Sequence, residues 1–412
     1  MSKYDKASLV MIPSAYKAEK LYSVLPENGN GDFTHDRNTT ATRVNKDGLI
    51  ETVAADVPRL DYPLIDGIVQ DCPALLLEPS RTNSLTYSNL FTNAGWAKAG
   101  AGTGSAPTVT GDYAISPDGS QNASRLQLDK GSGTTTGDYS YMYKTVASVS
   151  TGSISIWMKS NDSNTYQVAL RVLNYTVCDV TPEWQRFELN NQSSTNVIQI
   201  MLRGTYGTSD DADILIYGAQ VEEGSYSTSY IPTSGSAVTR NADVCNSAGT
   251  SAEFNDSEGV MYAEIAGLDD DVTNRWFSLS DGTANNNVVI RISNENTIIS
   301  RIFSNSSAVG SAIIDSSTDI KIYFKVAIVY NSTSHSLFVN GFKIGTQLVD
   351  SSFSSGTLDK VNFDNGVGNS DFYGKTKELA VFKEALTDSE LESLTSWDSF
   401  NEMATSQLYT IR

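Results

Sequence analysis

Ser336-Leu337-Phe338-Val339-Asn340-Gly341-Phe342-Lys343-Ile344 decides the fold class of this chain. An Asn-Gly pair between two apolar runs is the strongest short-range hairpin signal, because a type I′ turn needs positive φ at both central residues. Upstream, residues 320–330 form an apolar run suited to a buried strand, and residues 260–265, 288–292 and 298–303 offer further strands. Farther back, Ser153-Ile154-Ser155-Ile156-Trp157-Met158 alternates with period two. Residues 168–173, 196–202 and 213–217 do the same. Alternation rich in β-branched and aromatic residues is the mark of half-buried strands. The helical period is missing from these stretches. One short helix is predicted, where Thr387-Asp388-Ser389-Glu390 makes a capping box between Leu386 and the pair Leu391 and Leu394.

The chain has 412 residues, too many for one ordinary domain. With 39% hydrophobic residues it can bury substantial cores, so wholesale disorder is excluded. The net charge of −19 repels phosphate backbones and anionic lipid surfaces, so nucleic-acid partners are not expected. Cys72, Cys178 and Cys245 are widely spaced and odd in number, which encodes neither a disulfide framework nor a zinc ribbon. They are expected to be small buried hydrophobes. No run approaches the length of a membrane-spanning helix, and the first ten residues lack the apolar core of a signal peptide.

Composition divides the chain. Residues 1–82 hold six of the ten prolines, which removes ladder donors and argues against a regular sheet. This region reads as extended, with apolar pieces at Leu9, Val10, Ile12, Leu75 and Leu77 that need another surface. The expected architecture is mostly β: a short irregular N-terminal region followed by two consecutive antiparallel jelly-roll sandwiches. Their limits are 83–232 and 251–397, with a linker at 233–250 and a tail at 398–412.

Three stretches resemble known families. Tyr323-Phe324-Lys325-Val326-Ala327-Ile328-Val329-Tyr330, the hairpin above, Glu378-Leu379-Ala380-Val381-Phe382 and the capped helix resemble a laminin-G-like, concanavalin A-like jelly roll in order and spacing. Asn83-Ser84-Leu85 with Phe91-Thr92-Asn93-Ala94-Gly95-Trp96, and the closing run Tyr217-Gly218-Ala219-Gln220-Val221-Glu222-Glu223-Gly224 with Ser229-Tyr230-Ile231-Pro232-Thr233, resemble the carbohydrate-binding-module-like jelly rolls of phage structural proteins. Leu75-Leu76-Leu77-Glu78-Pro79-Ser80-Arg81-Thr82-Asn83, with Met11-Ile12-Pro13-Ser14 and Pro58-Arg59-Leu60-Asp61-Tyr62, resembles the N-terminal region of tailed-phage tail and head fibres. These resemblances imply a non-enzymatic virion component, made in the host cytoplasm, that displays sandwiches for adhesion to host-surface glycans. They also imply virion proteins as partners and a homo-oligomer, with a trimer favoured through residues 1–82. A purely architectural decoration protein and a polysaccharide depolymerase are the alternatives.

Candidate sites follow from residue chemistry. Sugars stack on exposed aromatic faces and take hydrogen bonds from polar loops. Trp96, Tyr139, Tyr141 and Trp184 are the glycan-binding candidates. Tyr139, Tyr141 and Tyr143 alternate and share one side of a strand, which is either a core face or a stacking platform. Trp157, in an alternating strand, is expected in the core. No cofactor is required. A structural calcium is the one metal considered, at Asp210, Asp211 and Asp213, with Asp269-Asp270-Asp271 as a weaker second cluster. Glycosidases on this fold need two acids on one strand, yet Glu264 has no carboxylate at 262 or 266. Neither His35 nor His335 has a nucleophile motif beside it. No catalytic residue is therefore expected.

Overall fold

A computed structural model describes residues 4–17, 19–65, 68–349 and 353–406. The fold is mostly β, built from antiparallel sheets, as the alternating runs require. The middle sandwich is one sheet of eight strands folded over on itself. Two of its strands are very long, Tyr139–Ser160 and Gln185–Arg203, and they pair along two stretches separated by bulges. Residues 139–143 of the first pair with Ala97–Ala101, and residues 152–160 pair with Asp211–Glu223. The long strands thus pass from one layer to the other. Their alternate residues Met142, Ile154, Ile156, Ile198 and Ile200 fill a core formed entirely by residues 85–221.

The C-terminal sandwich has two sheets. One runs Ser307–Asp315, Ile298–Ser304, Asn287–Ile292, Arg275–Ser280, Lys360–Asn362. The other runs Phe342–Leu348, Ser334–Val339, Phe324–Asn331, Glu258–Gly267, Gly374–Phe382 and then continues into the N-terminal region. The hairpin turn has φ of 47° at Asn340 and 86° at Gly341, the positive pair that the type I′ turn demands. Asp388–Thr395 is helical behind Thr387, whose hydroxyl accepts from the Glu390 N–H while the Glu390 carboxylate accepts from the Thr387 N–H. Leu391 and Leu394 seat this helix on the outer face of the larger sheet.

The N-terminal region departs from expectation. Ala74–Leu77 and Ala7–Met11 both pair with Gly374–Phe382, at different heights along it, and Arg59–Asp61 extends the sheet by one more strand. Leu9, Met11, Leu21, Leu75 and Leu77 lie in the C-terminal core, beside Met261 and Leu379. The other surface that the apolar pieces need is therefore supplied by the same chain rather than by a second copy. The reason is topological: without these strands the Gly374–Phe382 edge would expose an unpaired ladder. A second part of the same region lies on the middle sandwich. The Ala41–Val44 and Ile50–Val53 hairpin sets Ile50 against Tyr217 and Tyr230, and the Thr42 hydroxyl donates to the Tyr230 carbonyl.

Residues 233–250 are not a free linker either. Val238–Arg240 pairs with Arg81–Asn83, and Val244–Asn246 pairs with Thr34–Asp36. Between these pairs lies a buried ionic cluster. Arg59 donates to Glu78 at 2.6 Å, to the Ser229 hydroxyl at 2.7 Å and to Asp243. Arg240 donates to Glu78 at 2.7 Å, and Arg37 to Asp243 at 2.8 Å. Burial alone would raise the Glu78 carboxyl, but Arg240 and Arg59 overcome it and hold it at about 2. The tail is partly structured: Phe400–Ser406 is helical, and Glu402 takes a 2.7 Å hydrogen bond from Lys325. Cys178 and Cys245 are buried as expected, whereas Cys72 is exposed. Among the described residues no helix is long and apolar enough to cross a membrane.

Candidate functional site

The strands Ala97–Ala101, Tyr139–Ser160, Gln185–Arg203, Tyr166–Arg171 and Tyr175–Val180 lie side by side in one layer of the middle sandwich. Their even-numbered residues Met142, Val168, Leu170, Ile198 and Ile200 point into the core. Successive strand residues face opposite ways, so the odd-numbered ones face outward. The register aligns them across the layer. Tyr139 sits opposite Arg203, Tyr141 opposite Met201 and Tyr143 opposite Gln199. Arg171 lies beyond Gln199, and Tyr175 beyond Arg171.

The result is an aromatic platform. The Tyr139 and Tyr141 rings stack at 5.0 Å, and Tyr143 meets Tyr141 edge-on at 5.6 Å. Across the floor of Met201 and Ala169, Tyr175 stacks on Tyr206 at 4.0 Å. Arg203 bridges the two groups: its guanidinium lies 5.8 Å from the Tyr139 ring and 5.5 Å from the Tyr175 ring, and it donates to the Tyr175 hydroxyl at 2.9 Å. Arg171 donates to Gln199 Oε1 at 3.2 Å. Between them runs a groove of about 500 Å³ lined by Tyr141, Tyr143, Arg171, Leu173, Asn196 and Gln199. Partial burial, then the neighbouring Tyr139 and Tyr143 rings, push the Tyr141 hydroxyl up, so it stays protonated and able to donate. Half-buried rings beside amide and guanidinium donors suit the apolar faces and hydroxyl edges of a saccharide.

Of the four aromatic candidates, Tyr139 and Tyr141 meet here and the other two do not. Trp96 is in the core, 2% exposed, packed on Phe91 at 4.9 Å with its Nε1 donating to the Tyr87 carbonyl. It closes the start of the sandwich and has no free face. Trp184 packs beside Trp157 on the Ile50, Tyr217 and Tyr230 cluster, where the N-terminal hairpin meets the middle sandwich. Trp157 is only half-buried there, with Arg186 over its ring at 4.6 Å. Sequence reading missed Arg171, Gln199, Arg203, Tyr175 and Tyr206. The alternation at residues 168–173 already placed Arg171 on the non-core side, so that signal was present. Which strands lie beside it was not.

In the acidic triplet two of the three carboxylates are already engaged by cations. Asp213 is held by Arg125 in a two-pronged pair and by the Asn161 amide, and Asp210 pairs with Lys130. Asp211 lies on the same side of the strand as Asp213, opposite Asp129. In the second cluster Asp271 is bound by Arg275, and Asp270 lies 3.7 Å from Lys321. Among the described residues no three His, Cys, Asp or Glu side chains converge as metal ligands.

Glu264 does gain a carboxylate neighbour, across strands rather than along one: Glu378 sits directly opposite. Lys377 and Lys325 lie 3.6 and 4.0 Å from Glu264, and burial pushes its carboxyl up despite them. The group is covered, with Glu264 6% and Glu378 5% exposed. His335 is buried, which pushes its imidazole down to about 4.

No curated protein is detectably similar to the chain. Solved structures are similar over part of it. The CBM40 domain of Ruminococcus gnavus IT-sialidase, bound to alpha2,3-sialyllactose, is 17% identical, with 35% of this chain and 84% of that chain covered at a TM-score of 0.30. Domain 4 of an extracellular arabinanase from Geobacillus stearothermophilus, in complex with arabinotriose, is 12% identical, covering 38% and 73% at 0.32. A pentraxin from Limulus polyphemus is 15% identical, covering 35% and 71% at 0.25. Residues 265–392 match the laminin G family described as the concanavalin A-like lectin/glucanases superfamily, and that is the family to which the C-terminal sandwich is similar.

Proposed function

We propose that the protein is a non-enzymatic adhesin, a structural fibre component of a tailed-phage particle that holds host-surface glycans on its middle sandwich. The observation that carries the glycan part is the Tyr139–Tyr141–Tyr143 row facing Arg171, Gln199 and Arg203 across an open groove. The three rings line the outer face with donors placed beside them. The particle assignment rests on the resemblance of residues 8–83 and 83–232 to phage fibre proteins. The trimer rests on that resemblance alone, and light scattering at micromolar concentration tests it, a monomer counting against it.

The non-enzymatic reading is supported by the state of Glu264 and Glu378. Two carboxylates can share acid–base work only where a sugar reaches both. Here lysines hold Glu264, and little of either group is exposed. Release of reducing ends from host polysaccharide by the wild type, lost in Glu264→Gln, would overturn it.

The central experiment is binding to immobilised host polysaccharide. Tyr141→Ala is expected to weaken binding by ~10-fold or more, as truncation of a central aromatic does, with the thermal midpoint nearly unchanged because the side chain is outside the core. Wild-type protein that binds no host polysaccharide, yet still joins particles, would make it an architectural decoration protein.

A further inference from the structure

The smaller sheet of the C-terminal sandwich also has an outward face. Phe277, Leu279, Val288, Ile290, Ile298 and Ile302 point into the core. The residues that alternate with them include Trp276, Arg291, Arg301 and Phe303. Trp276 is opposite Arg291, and Arg301 is opposite Val289, so the two arginines are diagonal neighbours on adjacent strands. The Arg291 guanidinium lies 5.2 Å from the Trp276 ring, and that of Arg301 lies 5.5 Å from the Phe303 ring. Ile314 continues the face and is exposed.

Like Arg171 and Arg203 on the middle sandwich, this pair lacks a counter-charge among the described residues. The chain has 48 acidic against 29 basic residues, and Arg37, Arg43, Arg59, Arg125, Arg186, Arg240 and Arg275 each sit on a carboxylate. Among the described residues Arg291 and Arg301 form no ion pair. Burial and then Arg301 push the Arg291 guanidinium down, with no carboxylate opposing them. Two cations held together in an acidic protein raise each other's energy, and an anion laid between them relieves it. Guanidinium forks match a carboxylate in two-pronged geometry, and a tryptophan or phenylalanine beside them takes the apolar face of a ring.

We propose that this face is a second saccharide-binding surface, selective for sugars that carry a carboxylate, with Arg291 and Arg301 taking the acid and Trp276 the ring. The inference rests on the glycan-binding reading for the class of ligand, but on different residues in a different sandwich. The charge balance favours such a sugar over nucleic acid. A duplex carries a charge every ~1.7 Å and would meet the field of the whole acidic chain. A sugar with one acid per repeat meets chiefly the local pair, because charges beyond ~8 Å are screened at physiological salt.

The test is calorimetric titration of the full chain with a hyaluronan tetrasaccharide and with its carboxyl-reduced counterpart. Wild type is expected to bind the acid form about tenfold more tightly than the reduced form. The double variant Arg291→Gln, Arg301→Gln is expected to lose that preference while keeping its thermal midpoint. Tyr141→Ala is expected to keep the preference. Equal affinity for both forms, a preference that survives in the arginine variant, or one that disappears in Tyr141→Ala would each overturn the inference. So would failure to bind either tetrasaccharide; if host polysaccharide still binds through Tyr141 in that case, the adhesion reading stands and only the second surface falls. Duplex DNA that binds wild type and not the arginine variant would make the face a phosphate surface instead.

Discussion

The two sandwiches close in different ways. The middle one takes its whole core from residues 85–221, using two long bent strands to serve both layers. The C-terminal one is not complete within its own stretch of chain. It draws Leu9, Met11, Leu21, Leu75 and Leu77 into its core and Ala7–Met11, Arg59–Asp61 and Ala74–Leu77 into its larger sheet. A sheet edge left open can be covered by any strand that reaches it, however distant in sequence. The first 80 residues are thus a shared clasp, pinned at the junction by Arg37, Arg59, Glu78, Arg240 and Asp243.

Removing residues 1–82 should separate the two most sharply. The C-terminal sandwich is expected to lose its cooperative transition in calorimetry, while the middle one keeps its own. If the truncated chain still shows two transitions, the clasp does not complete the second sandwich. Glu78→Ala comes next. It leaves Arg59 and Arg240 buried without their carboxylate, and breaking such a set costs about 3–5 kcal/mol. Urea unfolding should show the loss in both sandwiches, because Glu78 bonds Ser229 as well as the two arginines. A loss confined to one would mean that the junction does not couple them. Leu75→Ala and Leu170→Ala sharpen the contrast. Each empties a fully buried site and should cost roughly 2–5 kcal/mol. The first should lower only the C-terminal transition and the second only the middle one.

The smallest effect expected is that of pH. Burial holds His335 at about 4, below the unfolded value of 6.5, so the unfolded chain takes the proton first. Its contribution is full above 6.5 and is lost as pH falls toward 4. Glu78, at about 2 against an unfolded 4.5, keeps its contribution above 4.5 and loses it on further acidification toward 2. Glu264, raised by burial, works in the opposite sense. The C-terminal transition should therefore weaken before the middle one when melts are recorded from pH 7 to pH 4. His335→Gln should flatten the first part of that slope. An unchanged slope would remove the imidazole from the account.

The hairpin at Asn340-Gly341, the capped helix after Thr387 and the alternating strands of both sandwiches were legible in the sequence, because each depends on turn chemistry or on a two-residue period. So was the shared side of Tyr139, Tyr141 and Tyr143. Whether that side faced core or solvent was open, since half-buried tyrosines satisfy either pattern. The pairing with residues 199–203 and 171–175 settled it, by bringing arginines to the tyrosines' side. Trp96, a stacking candidate that also belongs to the opening motif of the middle sandwich, is core. The clasp was hidden for a physical reason. Ala74–Leu77 is buried on both faces, so it has no alternation to read, and its partner lies some 300 residues away. Arg59, Glu78, Arg240 and Asp243 were equally opaque: sequence presents charges as surface residues, and only the converging backbone carries them, already paired, into the interior. Local chemistry wrote the strands and turns of this protein; long-range pairing decided which edges they closed and which arginines were left without a carboxylate.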